Sequence, residues 1–343
     1  MIFNQNEKVK LFTHTDLDGV GCSIVANVAF RNVDVTYCEN SNVDELVGQF
    51  YKDKEYDYYD SVFITDLSVN PDVALLIQES YMEKGNTHNV FLLDHHGTAT
   101  WLNERYDWAL VAPEIYGKLQ SGTNLLFDFL TGSEMFEDHH ATVLGLLVEK
   151  IRRYDTWEWS KVFADNEARD LNQLLYLVGR EEFVSEYLDR ILHSPRFTFS
   201  EGSWLELFSD GDKLLIKNDN QNKRSYTRRK RKQMRVIEYN GFNIGVVFAE
   251  RYISELGNDL SSENPELKFI AIIDMGSNKV SLRTIHKDID LGKDIARKFG
   301  GGGHPQASGF SFNPDTTLGT IEGIFNPKQK SLLKKIIDKY TKK

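Results

Sequence analysis

Residues 9–13 (VKLFT) run straight into His14-Thr15-Asp16-Leu17-Asp18-Gly19. Side chains alternate in extended chain, so His14, Asp16 and Asp18 fall on one side. One imidazole and two carboxylates suit a fairly hard divalent cation. The glycine after them allows close backbone approach at a helix start. A surface turn rich in Asp and Gly would look similar, but two further apolar runs end the same way. Residues 61–65 (SVFIT) lead into Asp66, and residues 90–93 (VFLL) lead into Asp94-His95-His96. One strand-end acid is usually a helix cap or turn former. Three such ends, two of them with histidine, converge on one crevice if the strands are parallel, and that pattern points to a metal centre.

Other chemically suggestive residues divide between roles. Asp138-His139-His140 repeats the letters of 94–96 but follows no apolar strand. It opens a helical run, so Asp138 reads as an N-cap and the two histidines as first-turn residues. At the far end of that run lies Arg152-Arg153-Tyr154-Asp155-Thr156-Trp157, where Asp155 is a poor ordinary cap and is left open as a ligand. Tyr154, Trp157 and Trp159 could stack on a base, yet aromatics near a helix end are expected in the core. Cys22, among small residues, reads as a buried small hydrophobe rather than a nucleophile. Gly300-Gly301-Gly302-Gly303-His304 would expose backbone N–H groups to a phosphate or sugar, or serve as a flexible loop.

The elements that must position these residues follow from the pattern around them. Through residue 112, short β-rich runs (33–38 and 108–112 complete the set) alternate with helical stretches, the signature of an open, largely parallel α/β sheet. Residues 70–72 (NPD) read as a helix start, with cap, Pro and acid in order. Residues 122–192 are helical, and 204–238 read as one long connecting helix carrying Lys223, Arg224, Arg228, Arg229, Lys230, Arg231, Lys232 and Arg235. That basic run is a solvated helix face or a means of attracting a polyanion. Strand candidates at 242–249, 268–275, 279–285 and 307–312, with a helical segment at 292–299, describe a smaller α/β unit with a mixed sheet. Residues 327–343 are expected to form a packed final helix. The expected parsing is 1–205 for the doubly wound domain, 206–238 for the connector and 239–343 for the second domain.

Composition narrows the choice. At roughly 100–200 residues per domain, 343 residues imply two domains able to bury cores without staples. With 41 Lys and Arg against 51 Asp and Glu, the net charge is −10, which excludes a broad, non-specific nucleic-acid coat. It does not exclude a nucleic-acid substrate, because carboxylates that gather cations also count as negative. Two cysteines are too few for a disulfide scaffold, and residues 1–7 lack a signal-peptide pattern, so a cytoplasmic location is expected. No run of 18 apolar residues appears, so no membrane partner is expected.

HTDLDG at 14–19, ITD at 64–66, LDHH at 93–96 and YDTW at 154–157 resemble the four ordered motifs of the DHH phosphoesterase superfamily. GGGGHPQASG at 300–309 resembles the signature of the associated C-terminal substrate-binding domain. The motifs extend from 14 to 310 in family order, and the branch resembled most is the nanoRNase (oligoribonuclease) branch. The resemblance implies two divalent ions, manganese with magnesium as the alternative. His14 and Asp16 would hold one ion and Asp18, His95 and Asp155 the other, with Asp66 bridging. Asp94 would orient a histidine and His96 would lie beside the scissile phosphate. Arg283, Gly301, Gly302, Gly303 and His304 would bind substrate. Two ions about 3.5–4 Å apart support in-line attack of an activated water on a phosphodiester.

The implied activity is hydrolysis of short RNA or DNA oligonucleotides to mononucleotides, with 3′-phosphoadenosine 5′-phosphate as a further substrate. Alternatives are a cyclic or linear dinucleotide phosphodiesterase and a RecJ-like single-strand DNA exonuclease. A non-enzymatic nucleotide-binding regulator predicts missing ligands, whereas every expected position is filled. The oligomeric state, monomer or dimer, stays open.

Overall fold

The computed structural model describes residues 3–83, 89–193 and 207–326, so the expected final helix at 327–343 lies outside the described residues. The chain divides into two compact units, Met1–Lys217 and Asn218–Lys343.

In the first unit the chain runs β1 (Lys8–His14), α1 (Leu17–Ala29), β2 (Asn32–Cys38), α2 (Val43–Lys52), β3 (Ser61–Thr65), α3 (Pro71–Glu83), β4 (Asn89–Asp94) and β5 (Ala109–Val111). These five strands form one sheet in the order β2-β1-β3-β4-β5, every pairing parallel. Strand alternation sends apolar residues to both faces. Leu11, Phe63 and Leu93 join one core, and Phe12, Ile64 and Leu92 join the other. A sheet buried on both faces needs helices on both, which is why these strands read as continuous apolar runs. After β6 (Glu114–Ile115) and β7 (Lys118–Leu119) come α4 (Gly122–Gly132), α5 (Asp138–Asp155), α6 (Glu158–Lys161), α7 (Asn166–Val178) and α8 (Arg180–Leu192). Leu125, Leu126, Leu144, Leu147, Leu171, Phe183 and Tyr187 of these helices cover the same face as α1. Helices α2 and α3 cover the opposite face with Val47, Phe50, Val73 and Ile77. The chain leaves β1 for β2 on one side and returns to β3 on the other. That reversal opens a crevice at the carboxyl ends of β1 and β3.

The long helix α9 spans Asp210–Gln233 and contains the division between the two units. It stops short of the expected end: Arg235–Tyr239 form strand β8, paired antiparallel with β9 (Phe242–Phe248). The β-rich RVIEY reaches a hairpin through Asn240-Gly241, both at positive φ, and that local turn outweighs helical continuation. The second unit continues with α10 (Ile253–Glu263), β10 (Ile270–Asp274), β11 (Lys279–Arg283), β12 (Gly302–His304), β13 (Ala307–Ser311) and α11 (Pro314–Phe325). Its mixed sheet has the order β12-β13-β11-β10-β9-β8, with only β9 and β10 parallel. The segment expected to be helical before the glycine run is a π turn (Leu291–Ile295) followed by a 3₁₀ turn (Ala296–Phe299). No helix among the described residues is long and apolar enough to cross a membrane.

Candidate metal centre

Three strand ends of the parallel sheet meet the N-terminus of α1. Thr13 pairs with Thr65, and Thr65 with Leu93, so the residues that follow emerge at one level. Asp16 caps α1, its Oδ1 accepting from the N–H groups of Asp18 and Gly19 at 3.1 Å each. Its Oδ2 lies 2.9 Å from His14 Nδ1. Gly19 is obligatory here, since a Cβ would sit 2.2 Å from the His14 carbonyl oxygen. His95 Nε2 lies 3.2 Å from Asp66 Oδ1, 3.5 Å from Asp155 Oδ2 and 3.7 Å from Asp18 Oδ2. Asp94 is fully buried and accepts from His96 Nδ1 at 2.7 Å and from Ser68 Oγ.

Among the described residues, three sets of side chains bring potential ligand atoms within 4.8 Å of one another: His14, Asp16 and Asp66; Asp18, His95 and Asp155; and Asp66, Asp94, His95 and His96. The first two group the residues that the resemblance implies for separate ions; Asp66 belongs to the first, and its Oδ1 lies 3.2 Å from His95 of the second. Asp138, His139 and His140 belong to none of them. They occupy the first turn of α5, though the cap is Glu137 rather than Asp138. Asp138 is the first helical residue, a correction of one position that makes it a dipole-facing acid instead of a cap.

Electrostatics explain what this cluster needs. Burial, and then the charges of Asp18 and Asp16, push the Asp66 carboxyl well above the ordinary carboxylate range. Burial and the same two acids push Asp155 up to about 8. Burial pulls His95 down, toward the neutral form that binds metals. His14 and His96 are pushed up, each first by its hydrogen bond to an aspartate, Asp16 and Asp94 respectively. Asp66 Oδ2 is buried with no hydrogen-bond partner and stands 3.8 Å from His14 Nδ1. Asp66 also holds a left-handed backbone, φ 56°. Buried polar atoms are normally satisfied, and crowded carboxylates repel one another. Divalent cations answer both problems, so the residues present fit such ions.

One part of the site was missed from sequence. The N-terminus of α4 sits against Asp18 and Asp66. Gly122 N–H donates to Asp18 Oδ2 at 2.6 Å, and Thr123 N–H donates to Asp18 Oδ1 at 3.0 Å. A Cβ on Gly122 would lie 2.5 Å from Asp66 Cβ. Ser121 caps this helix through Asn124 N–H at 3.2 Å. The Ser-Gly-Thr helix start was the available signal, but its long-range partner was not legible. Trp157 also departs from expectation. It is 60% exposed and therefore not core, whereas Tyr154 packs partly buried against the main cluster.

In the second unit, Arg283 is half-buried, donating to the Leu282 carbonyl at 2.9 Å and to Ser254 Oγ at 3.0 Å. Burial lowers its pKa. The glycine run is less open than expected, because Gly302, Gly303 and His304 pair with β13 as an edge strand. Gly301 and Gly303 are required by packing, since added Cβ atoms would meet Gly309 O at 2.1 Å and Ser308 Cα at 2.7 Å. Gly302 faces open space, and His304 is exposed.

Comparison with known proteins defines a hydrolase acting on phosphoester bonds. No family model matches the chain. It is 39% identical over 308 residues to "Oligoribonuclease NrnB" of Bacillus subtilis (strain 168), spanning 89% of this chain and 73% of that protein. It is 24% identical over 351 residues to a "3',5'-cyclic-nucleotide phosphodiesterase" of Helicobacter pylori (strain ATCC 700392 / 26695), spanning 92% and 97%. Two solved structures share the fold. One is the pGpG-specific phosphodiesterase PggH from Vibrio cholerae (TM-score 0.51, 13% identity, 96% of this chain and 99% of that one). The other is the exonuclease RecJ bound to manganese (TM-score 0.50, 13% identity, 92% and 88%). The chain belongs to the DHH phosphoesterase family, on its nanoRNase branch.

Proposed function

We propose that this enzyme hydrolyses short oligonucleotides to mononucleotides with two divalent ions, manganese in the first instance. The observation that carries the reading is Asp66, a buried carboxylate with one unpartnered oxygen, grouped with His14 and Asp16 and 3.2 Å from His95 through its other oxygen. His14 and Asp16 would hold one ion, Asp18, His95 and Asp155 the other, and Asp66 both. When bound, the ions supply a water of lowered pKa and offset charge on the phosphate. The chain's own residues orient the reaction. Asp94 accepts from His96 Nδ1, which leaves Nε2 of that ring as the atom that would meet the scissile phosphate. Asp18 is held by two α4 amides, leaving the remaining lone pairs of its carboxylate for the ion. Gly301, Gly302, Gly303, His304 and Arg283 would bind substrate, Arg283 through a planar fork suited to phosphate. Residues 1–205 would then carry hydrolysis, 206–238 the connection and 239–343 substrate binding, in a cytoplasmic enzyme.

The test is product analysis with manganese on a ladder of labelled RNA, with 20-mer DNA, cyclic dinucleotides and 3′-phosphoadenosine 5′-phosphate as further arms. Conversion of two- to five-mers to mononucleotides is expected. Inertness toward all of them would sink the proposal. The curated cyclic-nucleotide relative favours a second reading, hydrolysis of cyclic nucleotides, which predicts that the cyclic arm outruns the short RNA.

A further inference from the structure

Trp157 occupies an improbable position. Helix α5 ends at Asp155 with Thr156 as its cap, so Trp157 is the next residue, the place where glycine commonly closes a helix. Its φ is 61°, the left-handed region that disfavours a large side chain. The backbone is held there firmly. Trp157 N–H donates to the Tyr154 carbonyl at 3.1 Å, and its own carbonyl accepts from Ser160 and Lys161 at 3.3 and 3.2 Å. Burial offers no compensation, since the side chain is 60% exposed. Its ring stands 6.2 Å from Trp159, which in turn stacks at 6.3 Å on Tyr154. Strain of this kind, fixed by its surroundings, concentrates at binding and catalytic sites.

Its location gives the strain a use. Trp157 follows Asp155 by two residues, and the Asp155 carboxylate lies 3.5 Å from His95. Consecutive Cα atoms are about 3.8 Å apart, so the Trp157 backbone lies within about 8 Å of the Asp155 backbone and the exposed indole is carried by the segment that leads out of the ligand cluster. A rigid, exposed aromatic beside a phosphodiester site offers a π-face to any of the bases flanking the scissile bond. We infer that Trp157 is a substrate-binding residue, a stacking platform for a nucleobase next to the reacting phosphate, with Trp159 and Tyr154 bracing it. The inference rests on the nucleotide-hydrolase reading above and adds the group that is recognised.

Stacking contributes to ground state and transition state alike, so it appears in KM rather than kcat. The experiment compares wild type with Trp157→Ala, Trp157→Phe and Trp157→Gly. The substrates are a diribonucleotide and two abasic versions, each lacking one base. For wild type, loss of one base should raise KM by about 10-fold, within the range for one stacked base. Trp157→Ala should show that same raised KM on the intact dinucleotide and no further loss on the abasic one. Trp157→Phe should restore most of the affinity. Trp157→Gly should raise KM while leaving the melting temperature unchanged or higher, because glycine accepts the left-handed backbone. Equal KM for all variants, or a lowered melting temperature with KM unmoved in Trp157→Gly, would overturn the inference. Should wild type cleave no dinucleotide, the hydrolase reading fails on that result. Quenching of indole fluorescence by a mononucleotide, compared between wild type and Trp157→Phe, then decides the platform separately: the same quenching in both overturns it, and quenching lost with Trp157 supports it.

Discussion

A left-handed backbone at a residue with a Cβ, as at Asp66, costs about 1–2 kcal/mol, and its buried, unpartnered Oδ2 adds to that. The charges of Asp16, Asp18 and Asp155 converge on the same carboxylate. Asn keeps the shape of Asp66 and removes its charge. Asp66→Asn should therefore raise the melting temperature of the metal-free protein, measured in chelator. The same variant should lose the stabilisation that manganese gives wild type, and its turnover should fall by about 100-fold or more, since even partners outside the ligand set cost 10–100-fold. A variant that is less stable in chelator, or that keeps its manganese response, would remove Asp66 from the centre. Residue-scale chemistry of this kind was legible in sequence because it is local: His14, Asp66 and Asp94 each end an apolar run that announces itself.

At the scale of elements, α4 does for Asp18 what no local motif could reveal, because Gly122 and Asp18 are 104 residues apart. Strands and their ends follow from runs of five to seven residues, but the docking of one helix N-terminus onto another strand end depends on tertiary packing. For the same reason the glycine run looked like an open loop, although Gly301 and Gly303 are fixed by backbone of β13 that only the folded sheet brings near. Gly122→Ala would force its Cβ to 2.5 Å from Asp66 Cβ and 2.8 Å from Asp66 Cα, where backbone has to shift. Overpacking of this kind costs about 1–3 kcal/mol. Because the shift also draws the α4 amides away from Asp18, manganese affinity measured by titration calorimetry should drop together with stability. Loss of stability with affinity unchanged would confine Gly122 to packing. The other end of α5 is held by charge. Arg152 is buried and binds Glu149 at 2.8 Å, Glu158, and the Leu119 carbonyl at 2.9 Å. Burial opposes ionisation of Glu149, yet hydrogen bonds from Arg152, Arg153 and Lys118 lower its pKa to about 2, from an ordinary 4.5. A carboxylate with a lowered folded-state pKa contributes its stability in full above about pH 4.5, and loses it as pH falls toward 2. Glu149→Gln should thus be less stable than wild type at pH 7. The gap in melting temperature should narrow as the pH falls below about 4.5; a gap that stays constant down to pH 3 would show that the ion pairs at Glu149 contribute nothing.

For the whole molecule, the net charge of −10 and the basic run on α9 make opposing claims about nucleic acid. The structure tempers the run, because Lys223 pairs with Glu255 at 2.9 Å and Arg231 pairs with Glu263, both from α10. A chain so balanced should hold its substrate through a few local contacts. For single strands the logarithm of affinity falls with that of salt at a slope of about −0.7 per phosphate neutralised. Two phosphate contacts then give a loss of about 7-fold between 50 and 200 mM salt, whereas eight would give a loss of about 10³-fold. With manganese saturating, KM for a trinucleotide should rise by no more than about 10-fold over that interval. Lengthening the RNA to 20 nucleotides should leave the slope unchanged, because a chain with a net charge of −10 attracts the added phosphates no further. A slope that steepens with length would instead assign the α9 run to nucleic-acid binding, and would move the enzyme from the handling of very short oligonucleotides toward that of long single strands.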